Sequence, residues 1–136
     1  MFKFELEITP RQVADLMVTV IESGESRCWC NGVYWQSRED EPPDTPGVWY
    51  DDEGIYGRKD FKLEVHHIED ESTPFDEEND EGIIKLYLTR DGLAKGFEAL
   101  AKDNPRILGN ILGGDYDAVD ADAWFQCCVL GKTVYG

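Results

Sequence analysis

Acidic residues are not spread evenly along this chain; they are concentrated in its middle. Residues 37–81 hold 17 of the 29 acidic residues against four basic ones, Arg38, Arg58, Lys59 and Lys62, a net charge of −13 out of −16. Residues 1–36 carry −2 and residues 82–136 carry −1. Like charges at that density repel one another and resist burial, so the core is expected from the two ends, 1–36 and 82–136. The same field selects partners. It attracts cationic surfaces and repels nucleic acid and anionic membranes.

At 136 residues the chain fits a single domain, 1–136, large enough for one real core. An aromatic fraction of 12% argues against global disorder despite the charge. Met1-Phe2-Lys3 leads into alternating charge rather than the apolar run of a signal peptide, and no stretch approaches the ~20 apolar residues of a membrane span. The four cysteines form two tight pairs, Cys28 with Cys30 and Cys127 with Cys128, unlike the spaced framework of a small secreted domain. A reducing, cytoplasmic setting is the expectation.

Periodicity divides the chain into elements. Phe2, Phe4, Leu6 and Ile8 alternate with Lys3, Glu5 and Glu7 as a half-buried strand. Thr9-Pro10-Arg11-Gln12 reads as a capping box that opens a helix carrying Val13, Leu16, Met17, Val20 and Ile21, and Gly24 closes it. Asn31-Gly32, flanked by Cys28-Trp29-Cys30 and Val33-Tyr34-Trp35, predicts a hairpin with a type I′ turn. Residues 37–47, with Pro42, Pro43 and Pro46 among four acids, mark a first acidic loop, and residues 69–82 a second. Val48-Trp49-Tyr50 and Ile55-Tyr56 suggest another hairpin; residues 61–68 and 83–89 suggest two more strands, the latter with Ile84, Leu86 and Leu88 on one face. Thr89 or Asp91 caps a helix with Leu93, Phe97, Leu100 and Ala101. Asn104-Pro105 opens another, with Ile107, Leu108, Ile111 and Leu112, which Gly113-Gly114 stops. A last helix carries Ala121, Trp124, Phe125, Cys128 and Val129, and Thr133-Val134-Tyr135 forms a closing strand. The order predicts an α+β domain: a mainly antiparallel sheet of about five or six strands packed against three or four helices.

The residues that invite chemistry each have a plainer reading. Asp115, Asp117, Asp120 and Asp122 resemble a calcium loop, but Val119 stands at the fifth position and no glycine follows at the sixth. Helix capping by Asp117 or Asp120 accounts for them. His66-His67 lies among Glu64, Glu69 and Asp70, with Glu64, His66 and Asp70 on one face of a strand and His67 and Glu69 on the other. Neither face closes a metal site, so two exposed histidines in an acidic field are expected. The cysteines lack the C-x₂-C spacing of zinc sites and read as buried thiols. Trp29, Tyr34, Trp35, Trp49, Tyr50 and Tyr56 divide between core and surface anchors. Stacking on single-stranded nucleic acid would need a cationic groove, which this region lacks. No phosphate loop, G-x-S-x-G or H-E-x-x-H occurs, and no catalytic residue, cofactor or metal is assigned.

Two stretches resemble small uncharacterised proteins encoded by bacteriophages and prophages. One is Ile8-Thr9-Pro10-Arg11-Gln12-Val13-Ala14-Asp15-Leu16, running on to Glu22-Ser23-Gly24. The other comprises Asp103-Asn104-Pro105-Arg106, Asp120-Ala121-Asp122-Ala123-Trp124-Phe125-Gln126 and Leu130-Gly131-Lys132-Thr133-Val134-Tyr135-Gly136. The resemblance covers the two ends and leaves out the acidic middle. It implies viral origin and action inside a bacterial host cell. Joined to the charge pattern, it points to an inhibitor of a host defence complex of CRISPR or restriction type. Its acidic face would compete for a Lys/Arg-rich nucleic-acid-binding surface, without binding nucleic acid or membrane itself. The expected contact residues are Glu39, Asp40, Glu41, Asp51, Asp52, Glu53, Glu69, Asp70, Glu71, Asp76, Glu77, Glu78, Asp80 and Glu81, with Trp35, Trp49 and Tyr50 as anchors. The alternatives are a metal-dependent or hydrolytic enzyme built around His66 and His67, and a phage structural or assembly protein.

Overall fold

Thr9-Pro10-Arg11-Gln12 opens a helix for the reason written in its side chains. In the computed structural model, which describes residues 7–68 and 83–136, α1 spans Pro10–Ser23. The Thr9 hydroxyl accepts from the Gln12 backbone N–H at 3.2 Å, and Gln12 Oε1 accepts from the Thr9 N–H at 2.8 Å. Two amides with no intrahelical partner are thereby satisfied. Gly24 ends the helix in the left-handed region at φ 79°. The face so defined buries Val13, Ala14, Leu16, Met17 and Val20. The strand expected at 2–8 falls mostly outside the described residues.

The strand count is lower than the sequence suggests. The class is α+β, but the described sheet has three antiparallel strands, not five or six: β1 (Cys30–Trp35), β2 (Lys62–Ile68) and β3 (Ile83–Thr89), with β2 central. Four helices accompany it: α1, α2 (Arg90–Asp103), α3 (Pro105–Gly113) and α4 (Ala118–Leu130). Three segments read as strands take other forms.

Asn31-Gly32 makes no turn. It lies inside β1, where the register shifts between Cys30 and Gly32 and Asn31 is the extra residue of a bulge. A Cβ on Gly32 would meet the far end of the Tyr34 side chain at 2.6–2.8 Å, so that ring would have to shift to admit one. The chain on either side of Asp52 forms two 3₁₀ turns, Trp49–Asp51 and Glu53–Gly57, rather than a hairpin. Asp52 decides this: its carboxylate accepts from the Gly54 N–H at 2.8 Å, and its carbonyl from Ile55 N–H at 3.3 Å. Thr133-Val134-Tyr135 is not a strand either, because its backbone pairs with a side chain. The buried Gln126 amide accepts from the Val134 and Tyr135 N–H groups, each at 2.8 Å, and donates to the Tyr135 carbonyl at 2.9 Å.

The core does not come from the ends alone. Leu63 and Val65 of β2 and Leu88 of β3 are fully buried on the sheet face that meets the helices, with Trp35 beside them. Ile55, Tyr56 and Phe61 extend that core from the acidic middle. Alternation explains it, because a strand can send charge to one face and leucine to the other. α4 lies at the centre and is buried from Ala121 through Cys127, including Trp124 and Phe125. Burying each large side chain of this kind contributes about 1.5–3 kcal/mol. Its N-cap is Asp117, which exchanges backbone–carboxylate bonds with Asp120 at 2.9 and 3.4 Å. Thr89 caps α2 and Asn104 caps α3. No helix among the described residues is long and apolar enough to cross a membrane.

Candidate functional site

β1 delivers the chain into the first acidic loop through an unusual residue. Gln36 sits at φ 59°, a left-handed conformation that non-glycine residues seldom adopt. It is held by its N–H to the Lys62 carbonyl at 2.7 Å and by its amide to the Asp60 carbonyl at 2.9 Å. Beyond it, Glu39, Asp40, Glu41 and Asp44 are all exposed. Asp40 accepts from the Ser37 hydroxyl at 2.9 Å, whereas Glu39, Glu41 and Asp44 have no ion pair among the described residues. The loop returns through Trp49–Asp51 onto α1. Arg11 there bridges Asp15 and Asp51, and hydrogen bonding to Asp51 raises its pKa. Asp52 caps the next turn, and Glu53 is exposed. Arg58 and Asp60 form a two-pronged pair with both contacts at 2.8 Å, which holds the Asp60 carboxyl below its usual range. Residues 37–68 thus keep nine acids against four bases. Glu69, Asp70, Glu71, Asp76, Glu77, Glu78, Asp80 and Glu81 lie outside the described residues.

The three aromatic anchors part company. Trp35 is only 5% exposed; its ring meets Trp49 at 6.2 Å and Phe61 at 5.9 Å, with the Arg58 guanidinium 5.3 Å above it. It is a core residue. Trp49 and Tyr50 are half-buried and stand edge to face at 5.5 Å. Burial, then a 3.1 Å bond from the Tyr50 hydroxyl to Glu22, pushes that phenol's pKa up. Val48 beside them is 50% exposed.

The histidines are not the exposed pair expected from the sequence. His66 is fully buried and Glu64 nearly so, on the sheet face away from the helical core. His66 Nε2 lies 2.9 Å from Glu64 Oε2, which also accepts from the Arg38 N–H at 2.9 Å, while Tyr87 donates to Oε1 at 3.3 Å. Burial pushes the Glu64 carboxyl up, but the bonds from His66 and Arg38 outweigh it, with the charges of His66 and Lys85, and hold it below the usual range. Among the described residues His66 Nδ1 has no hydrogen-bond partner. The Tyr34 ring covers the imidazole at 4.8 Å. His67, on the other face, is half-buried and bonds the Tyr135 hydroxyl at 3.0 Å. A carboxylate–imidazole pair can orient a general base, yet base catalysis needs a substrate within reach. Two cavities among the described residues lie elsewhere. One, of about 630 Å³, runs between the start of α1 and α2 past Val13, Leu93 and Phe97. The other, of about 230 Å³, sits where the end of α1 meets β1.

Among the described residues no three His, Cys, Asp or Glu side chains converge to hold a metal ion. Cys28 is exposed, Cys30 and Cys127 are buried, and Cys128 is half-buried. Burial raises Cys30 to about 12 and Cys128 well above its ordinary value, so neither is a ready nucleophile.

One functional-group cluster escaped the sequence reading. Asp122, at 7% exposure, accepts from the Ser26 hydroxyl at 2.5 Å, the Trp29 indole at 2.9 Å and the Gln126 amide at 2.8 Å. The signal was its helical phase, which sets it beside Gln126 on the buried side of α4. The surrounding aspartates masked it.

No protein family, no curated protein and no solved structure matches this chain.

Proposed function

We propose that this chain is an interaction protein, a phage-encoded inhibitor that acts inside a bacterial host cell. Its acidic face occupies a Lys/Arg-lined nucleic-acid groove on a defence complex of CRISPR or restriction type. The observation that carries the reading is the exposed run Glu39, Asp40, Glu41 and Asp44, continued by Asp51 and Glu53, on a chain of net charge −16. Duplex DNA presents one negative charge per ~1.7 Å of its axis, and proteins that hold it display matching cations. A folded surface of carboxylates competes for those cations and gains a fast, steered association. Val48, Trp49 and Tyr50 sit beside the acids and supply the short-range contacts that charge alone does not. Trp35, inside the core, has no part in this surface.

The buried Glu64–His66 pair favours the enzyme reading less. Its imidazole is fully buried, and neither of the two cavities described above is lined by it. The test is competition. The protein, immobilised, is used to capture partners from bacterial lysate, and the captured complex is then challenged with duplex DNA and with single-stranded RNA. Displacement by nucleic acid supports the proposal. Capture that excess nucleic acid does not affect would move the binding site away from any nucleic-acid groove and contradict it.

A further inference from the structure

α1 and α2 each pack on α4, and a cleft lies between them. Its volume, about 630 Å³, falls within the range of small-molecule sites. The sequence of α2 helps to keep it open. Ala94 and Ala101 line it with side chains too small to fill it, beside Leu93 and Phe97. Phe97 is braced by the fully buried Trp124, with ring centroids 5.5 Å apart. Val13 of α1 and Tyr56 line it as well. The Tyr56 hydroxyl is already bonded to the Tyr50 carbonyl, so that residue offers its ring. Water finds few hydrogen-bond partners against such side chains, and an apolar ligand that displaces it gains free energy.

Two charged residues line the cleft, Arg90 and Glu98, both exposed. Arg90 is the first residue of α2, and Glu98 follows eight positions on, about 12 Å along the helix. Arg90 makes no ion pair or side-chain hydrogen bond among the described residues. The positive end of the helix dipole adds to its charge, and Asp91 beside it does not line the cleft. An apolar cleft is thus cationic at its Arg90 end and anionic about two turns away. The −16 of the whole chain does not forbid an anion here, because residues 82–136 sum to only −1.

We propose that this cleft binds a small carboxylic acid with an aliphatic body. The carboxylate pairs with the Arg90 guanidinium, whose fork matches its two oxygens. The body lies along α2 past Leu93 and Phe97 toward Ala101, eleven positions from Arg90 and about 16 Å of helix. Glu98 disfavours the reverse orientation, which would bring two carboxylates together. No residue of the exposed acidic run from Glu39 to Asp44 lines the cleft, so this inference stands apart from the proposed function.

The test uses the full chain, labelled with ¹⁵N, titrated at low salt with octanoate and separately with octan-1-ol. Octanoate should shift the amide signals of Val13, Ala94, Phe97 and Ala101 saturably. The alcohol, which has the same chain and no charge, should bind at the same signals about tenfold more weakly. R90Q changes an exposed side chain; it should weaken octanoate to the level of the alcohol and leave the alcohol unchanged. A94W and, independently, A101W place a large ring in the cleft from exposed positions and should each weaken both ligands while the melting temperature holds. Signals that stay still would overturn the proposal. So would an alcohol that binds as tightly as octanoate, octanoate binding that R90Q leaves intact, or binding that neither tryptophan variant reduces.

Discussion

Asp122 is the residue whose removal should cost this fold most for its size. D122A takes one acceptor away from three donors: Ser26 Oγ, Trp29 Nε1 and Gln126 Nε2. Each hydrogen bond to a charged group is worth about 1.5–3 kcal/mol, and a buried donor left bare costs about 1–3 kcal/mol. The three do not lose equally. Gln126 keeps its bond to the Tyr135 carbonyl. The Trp29 indole is fully buried and bonds no acceptor but Asp122 among the described residues, so it bears the full loss. Relief from holding a carboxylate out of water offsets part of the total. The net expectation is about 3 kcal/mol, a fall of roughly 10 °C in Tm for a domain of this size. D122N should cost less, about 1–2 kcal/mol, because its oxygen still serves Ser26 and Trp29. Its amide would face that of Gln126, which cannot flip without losing the bonds from Val134 and Tyr135. Urea denaturation followed by tryptophan fluorescence measures both variants, with exposed Asp115→Ala as control. A D122A cost below about 0.5 kcal/mol, the range of an ordinary surface change, would refute the reasoning.

Gly96 lies where α2 crosses α4, and a Cβ there would come within 2.2 Å of Cys128 Sγ and 2.9 Å of its Cα. G96A should therefore destabilise by about 1–3 kcal/mol, whereas G109A, which meets nothing within 4 Å in α3, should stabilise by about 0.5–1 kcal/mol; thermal melts of the two should move in opposite directions. Glu64 has its carboxyl pKa depressed in the folded state. Its contribution is thus complete above the unfolded value near 4.3 and is lost as pH falls through the lower folded value. E64Q should flatten the acid limb of stability below about pH 5, read by denaturant titration at several pH values, and an unchanged slope would contradict the assignment.

How far the sequence disclosed this structure depends on whether a residue's partner was local. The Thr9–Gln12 capping box, the Asn104 and Asp117 caps and the glycine stops rest on contacts three or four residues apart, and all are where the pattern places them. Asn31-Gly32 carries a strong hairpin signal, yet β1 continues through it because β2 supplies a partner 34 positions on, with Gly32 opposite His66. The same long-range pairing drew Leu63 and Val65 out of the acidic segment and into the core. The Asp122–Ser26–Trp29 cluster joins residues more than 90 positions apart, which no spacing rule discloses. The acidic surface was legible as charge. Which aromatics flank it was not, because alternation alone does not say which face of a strand is covered: Trp35 turned inward, while Trp49 and Tyr50 remained partly open.

The central claim is that the acidic middle binds a basic protein surface, and the association rate tests it most directly. Glu39, Asp40, Glu41 and Asp44 are reversed to lysine; all four are exposed, so the fold should be little affected. Association with the captured host protein is then followed at low and at physiological ionic strength, with Glu98→Lys, an exposed residue on the near-neutral end, as control. Steering contributes about 10- to 1000-fold to association rates. The account predicts that the reversed loop associates at least tenfold more slowly at low salt and loses its salt dependence, while the control does neither. Equal rates for the two variants at both ionic strengths would contradict it.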